Sequence, residues 1–264
     1  MVYSKNDPAG VNIASHLAEH IPFKSFLFNS QPALIFRDLC LIEVEQHLID
    51  LELAPNDVEW VLCLSRHKSA SGKKCLTAHS PGNPTNSAQL GGKPNSIAFS
   101  NPILQSALIC ELKQIASASN LELQVTVEAT HHGPTEIPYP VTFVEIGSED
   151  HAWGDPTLGE AVSKAVTRSI MSNHAFGKVA LGIGGGHYSE KFTNLIISGK
   201  FAFGHILPKY VLTEKMDRAM IELALKRTYG GCNSIVVDWK GTPSAFKDYI
   251  KQFAIRNEIE LEKI

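Results

Sequence analysis

Short apolar runs alternate with longer segments of helical periodicity along the chain, and this alternation limits the possible folds more than any other feature of the sequence. The predicted strands are LCLIEVE, EWVLCLS, LELQVTVEAT, VTFVEIG, KVALGIG, KFAFGHI and SIVVDW. The predicted helices are AGVNIASHLAEHI, NPILQSALICELKQIASAS, DPTLGEAVSKAVTRSIMSN, TEKMDRAMIELALKRTYGG and TPSAFKDYIKQFAIRNE. Strands and helices that alternate pack in layers, so we expect a three-layer α/β/α fold with a mixed, largely parallel sheet.

One long polar segment, from Arg66 to Asn101, departs from this pattern, because it is rich in Ser, Gly, Asn and Pro and has little apolar periodicity. We interpret about 66–101 as a long active-site loop; the alternative is a disordered surface loop. The chain shows no internal repeat or linker, and 264 residues with 44% hydrophobic content can enclose one sizeable core or two small ones. We therefore predict a single domain over 1–264.

Composition excludes several classes of protein. No apolar stretch reaches the roughly 18 to 20 residues that span a bilayer, and MVYSKNDPAG lacks a signal-peptide pattern, so we expect a cytoplasmic protein that has no membrane partner. Five scattered cysteines without a CxxC pair support neither a disulfide framework nor a cysteine zinc site. A net charge of −3 gives no overall attraction to nucleic acid, although it can conceal a basic face.

Polar, reactive motifs follow four of the predicted strands. SRHKS follows WVLCL, THHGP follows LQVTVEA, GGGHYSEK follows VALGI, and DWKG follows SIVV. In open α/β sheets, ligands bind in the crevice beyond the carboxyl ends of the strands. The sequence therefore predicts one cleft at which these motifs meet.

The glycine-rich loop after VALGI matches neither common nucleotide-binding fingerprint. Counting from Gly182, the sixth position of GxGxxG is His187, and GxxxxGK[ST] is not present. The loop glycines can instead take positive φ and direct backbone N–H groups at an anion, an oxyanion or a carbonyl; the alternative is a turn chosen for packing. These glycines are Gly184, Gly185 and Gly186, and Tyr188 stands just beyond His187.

Two adjacent histidines, His131 and His132, form a second candidate centre. Adjacent residues of an extended chain face opposite ways, so one can face the cleft while the other packs. With His187 and a carboxylate such as Glu128 or Glu145, these histidines can bind a zinc ion that lowers the pKa of a bound water to roughly 7. No HExxH motif is present, and structural histidines are the alternative. The predicted metal ligands are His131, His132, Glu145 and His187.

The remaining polar motifs are candidate binding residues. The segment Ser65, Arg66, His67, Lys68 and Ser69 brings cations and hydroxyls to one strand end, as an anion clamp does, although a solvated loop has the same composition. Asp238 and Lys240 resemble an acid with a nearby base, although a surface ion pair is equally consistent with this spacing. No GxSxG elbow is present, which argues against a covalent acyl-enzyme.

Taken together, the motifs resemble one enzyme family, the D-aminoacyl-tRNA deacylases of the archaeal and plant type. The resemblance runs in order from about Val61 to Gly241. It rests on SRHKS, LTAHSPGNP, EATHHGP, FVEIGS, ALGIGGGHYSEKF, FGHILPKY and DWKG.

This resemblance implies a fold of the phosphorylase and peptidyl-tRNA hydrolase type and a zinc cofactor. It also implies a reaction, the hydrolysis of the ester between a D-amino acid and tRNA, so the expected partner is D-aminoacyl-tRNA. A monomer or small homo-oligomer is expected. Two alternatives stay open: a nucleoside phosphorylase or other hydrolase of the same fold type, and a non-catalytic tRNA-binding module.

Ester hydrolysis needs an activated water and donors for the developing oxyanion. We assign the first role to His132 and His187, with His67 as a third catalytic candidate, and the second to the amides of the three loop glycines. The predicted substrate-binding residues are Ser65, Arg66, Lys68, Ser69, Lys73, Lys74, His79, Tyr188, Lys209 and Lys240.

A tRNA substrate makes activity sensitive to salt, because cations that contact phosphates release counterions on binding. We expect kcat/KM to fall steeply between about 50 and 200 mM salt, by on the order of 10-fold or more. Initial rates over a salt series measure this, and a flat response would argue against tRNA as substrate.

Overall fold

A computed structural model describes residues 1–29, 31–53, 58–69, 72–212 and 216–264. The strands are β1 Val2–Ser4, β2 Lys24–Phe28, β3 Gln31–Phe36, β4 Leu39–Val44, β5 Val61–Lys68, β6 Cys75–His79, β7 Gly82–Asn83, β8 Ser96–Ile97, β9 Gln124–Val127, β10 Val141–Ser148, β11 Lys178–Ile183, β12 Phe201–Leu207, β13 Ser234–Val237 and β14 Glu260–Lys263. The helices are α1 Pro8–His20, α2 Pro102–Ala118, α3 Asp150–Trp153, α4 Pro156–Met171, α5 Glu190–Ile197, α6 Ala219–Lys226 and α7 Ser244–Arg256, with a 3-10 turn at Leu48–Asp50.

Two sheets form the framework. The larger has the order β2-β3-β4-β1-β5-β10-β6-β9, and the smaller has the order β12-β11-β13-β14. Strands β4, β1, β5 and β10 are parallel to one another, whereas β6 and β9 run the other way. The smaller sheet is parallel throughout. The expected α/β fold, with a mixed, largely parallel sheet and helices on both sides, is confirmed.

Three of the long helices, α1, α2 and α4, begin where the sequence places a capping residue before a proline. Asp7 accepts hydrogen bonds from the amides of Ala9 and Gly10 at the start of α1, and Asn101 and Asp155 cap α2 and α4 in the same way. Proline at the first helical position has no amide to leave unpaired. These local signals explain why the predicted and observed starts of the three helices nearly coincide.

Side chains along the central strand β5 alternate between two apolar layers. Leu62 and Leu64 pack into the core formed with α1, α2 and α4, whereas Val61 and Cys63 pack on the other face. The period-2 geometry of a strand dictates this division. A continuous apolar run therefore marks a strand buried on both faces, as in other parallel sheets.

The predicted long loop at about 66–101 is wrong for much of its length. Strand β5 continues through Lys68, and β6 is wholly buried between β10 and β9. The sequence pattern missed β6 because two of its five residues, Thr77 and His79, are polar, and tertiary packing buries them nonetheless.

Several short elements were also missed. The hairpin β2–β3 and strands β1 and β14 are short, and helix α5 has only eight residues. The predicted helix over 213–231 is reduced to α6; residues 213–215 lie outside the described part of the chain.

In the ranges that the structure describes, no helix is long and apolar enough to cross a bilayer.

His205, on β12, ties the two sheets together from a fully buried position. Its Nε2 lies 3.1 Å from the Ala98 carbonyl, so it donates there, and its Nδ1 accepts from the Thr130 hydroxyl at 3.1 Å. Burial lowers the pKa of His205 to about 4, from an ordinary value of 6.5. The structure therefore places His205 in the core.

This buried neutral histidine predicts acid sensitivity of the metal-free protein. Because the pKa of His205 is lower in the folded chain, unfolding takes up a proton between pH 4 and 6.5. The free energy of unfolding is therefore highest above pH 6.5, and His205 lowers it by up to about 1.4 kcal/mol per pH unit toward pH 4. Urea unfolding of wild type and His205→Gln across this range measures the effect. Parallel pH curves for the two proteins would contradict it.

Candidate functional site

The site lies on one face of the larger sheet, because polar side chains replace apolar ones at alternate positions. In register, Glu145 on β10 is opposite Ser65 on β5 and Thr77 on β6. His67 and His79 lie two positions from these partners, so both share that face. The other face of the same strands is apolar core. Because β9 runs antiparallel to β5 and β10, the motifs do not all follow strands that end at one carboxyl edge. Residues of SRHKS, THHGP and GGGHYSEK nonetheless line one cleft, as predicted, whereas no residue of DWKG is among the described residues that line it.

A buried carboxylate, Glu128, is the centre of the site, with three histidines around it. Its Oε2 lies 3.0 Å from Nε2 of His187 and 3.6 Å from Nε2 of His131. Its Oε1 lies 3.1 Å from Nδ1 of His67 but has no aligned hydrogen-bond donor among the described residues. Burial alone would raise the pKa of Glu128, but the hydrogen bond from His187 and the other histidines outweigh it and lower the pKa to about 2.

The backbone brings His187 to Glu128. Ala129 donates its amide to the His187 carbonyl at 2.9 Å, and Glu128 forms a β-bridge with Tyr188. The chain that leaves β9 thus pairs with the chain that leaves the glycine loop. Nδ1 of His187 lies 3.1 Å from the hydroxyl of Tyr210, which fixes the ring with Nε2 toward Glu128.

His67 joins Glu128 to a second buried carboxylate. Nδ1 of His67 also lies 3.3 Å from Oε2 of Glu145, and its Nε2 contacts the hydroxyl of Tyr188. Burial raises the pKa of Glu145 to about 7. The hydrogen bond from His67 lowers this pKa, whereas the negative charge of Glu128 raises it. Burial would lower the pKa of His67, but the two carboxylates raise it. Gly147 makes room for this ring, since a Cβ there would lie 2.9 Å from His67 Cδ2.

His79, His131 and His132 form a second cluster of imidazoles. His132 has a left-handed backbone, with φ of 47°, and its Nε2 lies 3.1 Å from Nε2 of His79. Burial and the neighbouring histidines lower the pKa of His131 to about 4 and of His132 to about 3, and place that of His79 well below its usual range. These rings are therefore neutral at pH 7, as metal-ligating imidazoles are.

The predicted substrate contact of His79 is wrong, because the residue is completely buried. Three groups of potential ligands converge: His79 with His131 and His132; Glu128 with His131 and His187; and His67 with Glu128 and Glu145. The four predicted ligands are thus divided among three groups, and the carboxylate beside His131 and His187 is Glu128 instead of Glu145.

The glycine loop positions His187, and two of the three amides assigned to the oxyanion already have other acceptors. Gly184 and Gly185 have φ of 97° and 76°, as predicted, but Gly186 does not have positive φ. Gly184 donates its amide to the Leu207 carbonyl at 2.8 Å, and Gly185 donates to the Gly241 carbonyl at 3.2 Å. The assignment of these two amides to the oxyanion is therefore wrong, since each already has an acceptor.

A cleft of about 340 Å³ opens onto these side chains. Its lining includes the histidines and Glu145 and also apolar side chains that the sequence pattern did not single out. The lining residues are Asp7, His47, Leu48, Ile49, Ser65, Arg66, His67, Lys68, Leu90, His131, His132, Glu145 and His187. The cleft therefore combines a reactive centre with an apolar surface, as small-molecule sites do.

The predicted binding residues divide into three groups. Arg66 and Lys68 line the cleft, and they also line a neighbouring cavity that includes Ser69. Lys73 and Lys74 are exposed, and Lys74 lies 3.8 Å from Asp155. Lys209 and Lys240 are exposed beside the glycine loop: the Lys209 amide donates to the Gly185 carbonyl, and Lys240 precedes Gly241.

Asp7 is a cleft residue that sequence reasoning missed. Its Oδ1 caps α1, while its Oδ2 accepts from the Ser65 hydroxyl at 3.2 Å and the Arg66 amide at 3.0 Å. The Asp-Pro pair before an apolar helix signals the cap, but nothing in the sequence signals the contact with β5. Tyr210 was also missed, because its contact with His187 joins residues 23 apart.

Comparisons with known proteins agree with this description. The profile of the D-aminoacyl-tRNA deacylase family matches residues 54–262. The D-aminoacyl-tRNA deacylase of Thermoplasma acidophilum is 35% identical over 99% of this chain and 98% of its own length, and that of Pyrococcus horikoshii is 34% identical over 99% and 97%. The crystal structure of a conserved protein of unknown function has a TM-score of 0.90 and 31% identity, covering 99% of this chain and 93% of its own.

The fold and the site define an α/β enzyme whose reactive centre is built from histidines and buried carboxylates. The chain belongs to the D-aminoacyl-tRNA deacylase family. This membership confirms the expected class, an ester hydrolase, and the expected reaction, the hydrolysis of D-aminoacyl-tRNA.

Because Asp7 both caps α1 and fixes the end of β5, we expect Asp7→Ala to lower the free energy of unfolding by about 2–3 kcal/mol. Asp155→Ala is the matched control: Asp155 caps α4 by accepting from Thr157, and its loss should cost about 1 kcal/mol. Urea unfolding of both variants measures the difference. Equal losses would show that the contacts of Asp7 with β5 contribute nothing.

Proposed function

We propose that the cleft is where the ester of D-aminoacyl-tRNA is hydrolysed, by water activated at the histidine and carboxylate centre. The observation that carries this proposal is the position of Glu128, buried at the side of the cleft with His67, His131 and His187 around it. A water activated there needs no covalent intermediate. Because the substrate is a tRNA, we also propose that the protein acts in the cytoplasm; its oligomeric state stays a prediction.

We propose that Glu128, His131 and His187 hold a zinc ion. Imidazole nitrogens and a carboxylate oxygen are donors that zinc prefers, and their potential ligand atoms lie within 4.8 Å of one another. Oε2 of Glu128 is the oxygen that faces both imidazoles, at 3.6 Å from Nε2 of His131 and 3.0 Å from Nε2 of His187. When bound, zinc would lower the pKa of a bound water and polarise the ester carbonyl.

The second ring nitrogen of each of these histidines supports the same assignment. Nδ1 of His131 lies 2.9 Å from the Ala129 carbonyl, so it carries the hydrogen and leaves the lone pair on Nε2. Nδ1 of His187 lies 3.1 Å from the Tyr210 hydroxyl and can donate to it when Nε2 binds the metal in place of its hydrogen bond to Glu128. Ligating histidines in zinc sites are oriented by such bonds from the ring nitrogen that does not bind the metal.

In this proposal His67 moves protons during hydrolysis. The imidazole links the Tyr188 hydroxyl, on the side of the glycine loop, to the carboxylate of Glu145. A hydroxyl, an imidazole and a carboxylate in series can take a proton from the attacking water and return one to the leaving ribose oxygen. Tyr188 is then a donor near the reacting ester, a role that the amides of Gly184 and Gly185 cannot fill.

Arg66 and Lys68 complete the proposed site at the end of β5. Both line the cleft, and the Arg66 guanidinium lies 5.2 Å from the ring centre of Trp153. Their charges suit a phosphate near the 3′ end of the tRNA, and the apolar wall at Leu48, Ile49 and Leu90 suits the amino-acid side chain.

The test is release of labelled tyrosine from D-Tyr-tRNA and L-Tyr-tRNA by the purified protein. We expect release from the D ester alone, its loss with a chelator and its return with zinc. Glu128→Gln should lower kcat/KM at least about 100-fold and lower the bound zinc measured by mass spectrometry, because the amide removes the anionic ligand. Glu160→Gln, on the exposed side of α4, is the control. Full zinc content and activity in Glu128→Gln would overturn the assignment.

A further inference from the structure

A cluster of lysines around Trp239 lies beside the glycine loop and is not used by the proposed chemistry. The ammonium groups of Lys247, Lys251 and Lys263 lie 5.2, 5.2 and 4.6 Å from the ring centre of Trp239. Lys247 and Lys251 are one helical turn apart on α7, and Lys263 is on β14. Trp239 follows β13 and donates its amide to the Ile264 carbonyl at 3.1 Å. We call these four residues the Trp239 surface.

The charges of this surface are poorly compensated within the protein. Lys251 pairs with Asp248 at 3.2 Å, but in the part of the chain that the structure describes neither Lys247 nor Lys263 lies within 4.0 Å of a carboxylate oxygen. Three cations around one ring repel one another, and their contacts with the ring offset only part of this repulsion. The chain as a whole has a net charge of −3, so general basicity does not explain the cluster.

Backbone hydrogen bonds connect the Trp239 surface to the catalytic cleft. Asp238 donates its amide to the Ile183 carbonyl at 2.8 Å, and Gly185 donates to Gly241 at 3.2 Å. The segment that carries Trp239 is thus fixed against the loop that ends in His187. An anion bound on this surface is therefore linked through the backbone to the loop that carries His187.

The opposite side of the cleft is less suited to a long polyanion. The cavity shared by Arg66 and Lys68 is also lined by Glu149 and Asp150, and Lys74 lies 3.8 Å from Asp155. These carboxylates reduce the attraction for phosphates there. The local charge therefore favours the Trp239 surface for binding several phosphates of a nucleic-acid helix. Arg66 and Lys68 can then bind the 3′ end.

We propose that the Trp239 surface binds the phosphate backbone of the acceptor stem of the tRNA while the 3′ ester occupies the cleft. The inference rests on the proposed function for the identity of the ligand. Affinity for a phosphate backbone depends on counterion release. Each lost contact therefore makes the negative slope of log kcat/KM against log salt shallower by about 0.7–0.9.

The experiment compares two substrates, D-Tyr-tRNA and D-tyrosyl-adenosine, which carries the ester without a stem. For Lys247→Gln/Lys263→Gln we expect kcat/KM on D-Tyr-tRNA to fall about 10-fold or more near 0.15 M salt, mainly through KM, and the salt slope to fall by about 1 to 2. Hydrolysis of D-tyrosyl-adenosine should equal that of wild type. The charge reversal Lys247→Glu/Lys263→Glu should enlarge the loss on tRNA alone.

The control is Lys164→Gln/Lys226→Gln, which removes two exposed lysines that pair with Glu160 and Glu222 on their own helices. It should keep the wild-type salt slope. The proposal is overturned if the Trp239-surface variant keeps that slope as well, or if it loses activity equally on both substrates. If wild type hydrolyses neither substrate, the proposed function fails. Binding of uncharged tRNA by the same variants then tests independently whether the Trp239 surface binds tRNA.

Discussion

The buried carboxylate of Glu128 is the group on which the arrangement of the site depends. An ionised carboxylate removed from water must be compensated by charge or hydrogen bonds, or it takes up a proton. Here His187 donates to it and His67 and His131 surround it, so the carboxylate stays ionised although it is buried. The three histidines come from different parts of the chain, and the same carboxylate therefore joins β5, the end of β9 and the glycine loop.

This cluster is possible because the larger sheet has one reactive face. Strands β5, β6 and β10 pack their alternate residues into an apolar core, which fixes the register of the others. Ser65, His67, Thr77, His79 and Glu145 occupy the remaining positions and share one side. A slip of one residue in any strand would bury the polar set in the core, so the packing energy of the core also maintains the geometry of the site.

The two sheets meet at the functional centre, and their junction determines which segments lie next to the reactive side chains. The chain after β9 pairs with the segment at Tyr188, and Thr130 donates its amide to the Ile206 carbonyl of β12. The smaller sheet then extends from the glycine loop to Trp239 and its lysines. A reactive centre with apolar lining residues, and a charged surface joined by backbone hydrogen bonds to its glycine loop, suit a substrate with a polyanionic stem and a small ester.

Local patterns in the sequence determined the α/β class, the starts of α1, α2 and α4, and the motifs that contain His67, His131, His132 and His187. Capping residues and apolar periodicity act over a few residues, and a family resemblance is carried by short motifs, so both are readable without coordinates. The buried strand β6 was missed because only its neighbours β9 and β10 make Thr77 and His79 interior residues. The hydrogen bonds of Gly184 and Gly185, and the choice of Glu128 over Glu145 beside His131 and His187, likewise depend on contacts between residues far apart in the chain. Tertiary structure alone decides these, because burial and pairing are properties of the assembled layers and no single segment specifies them.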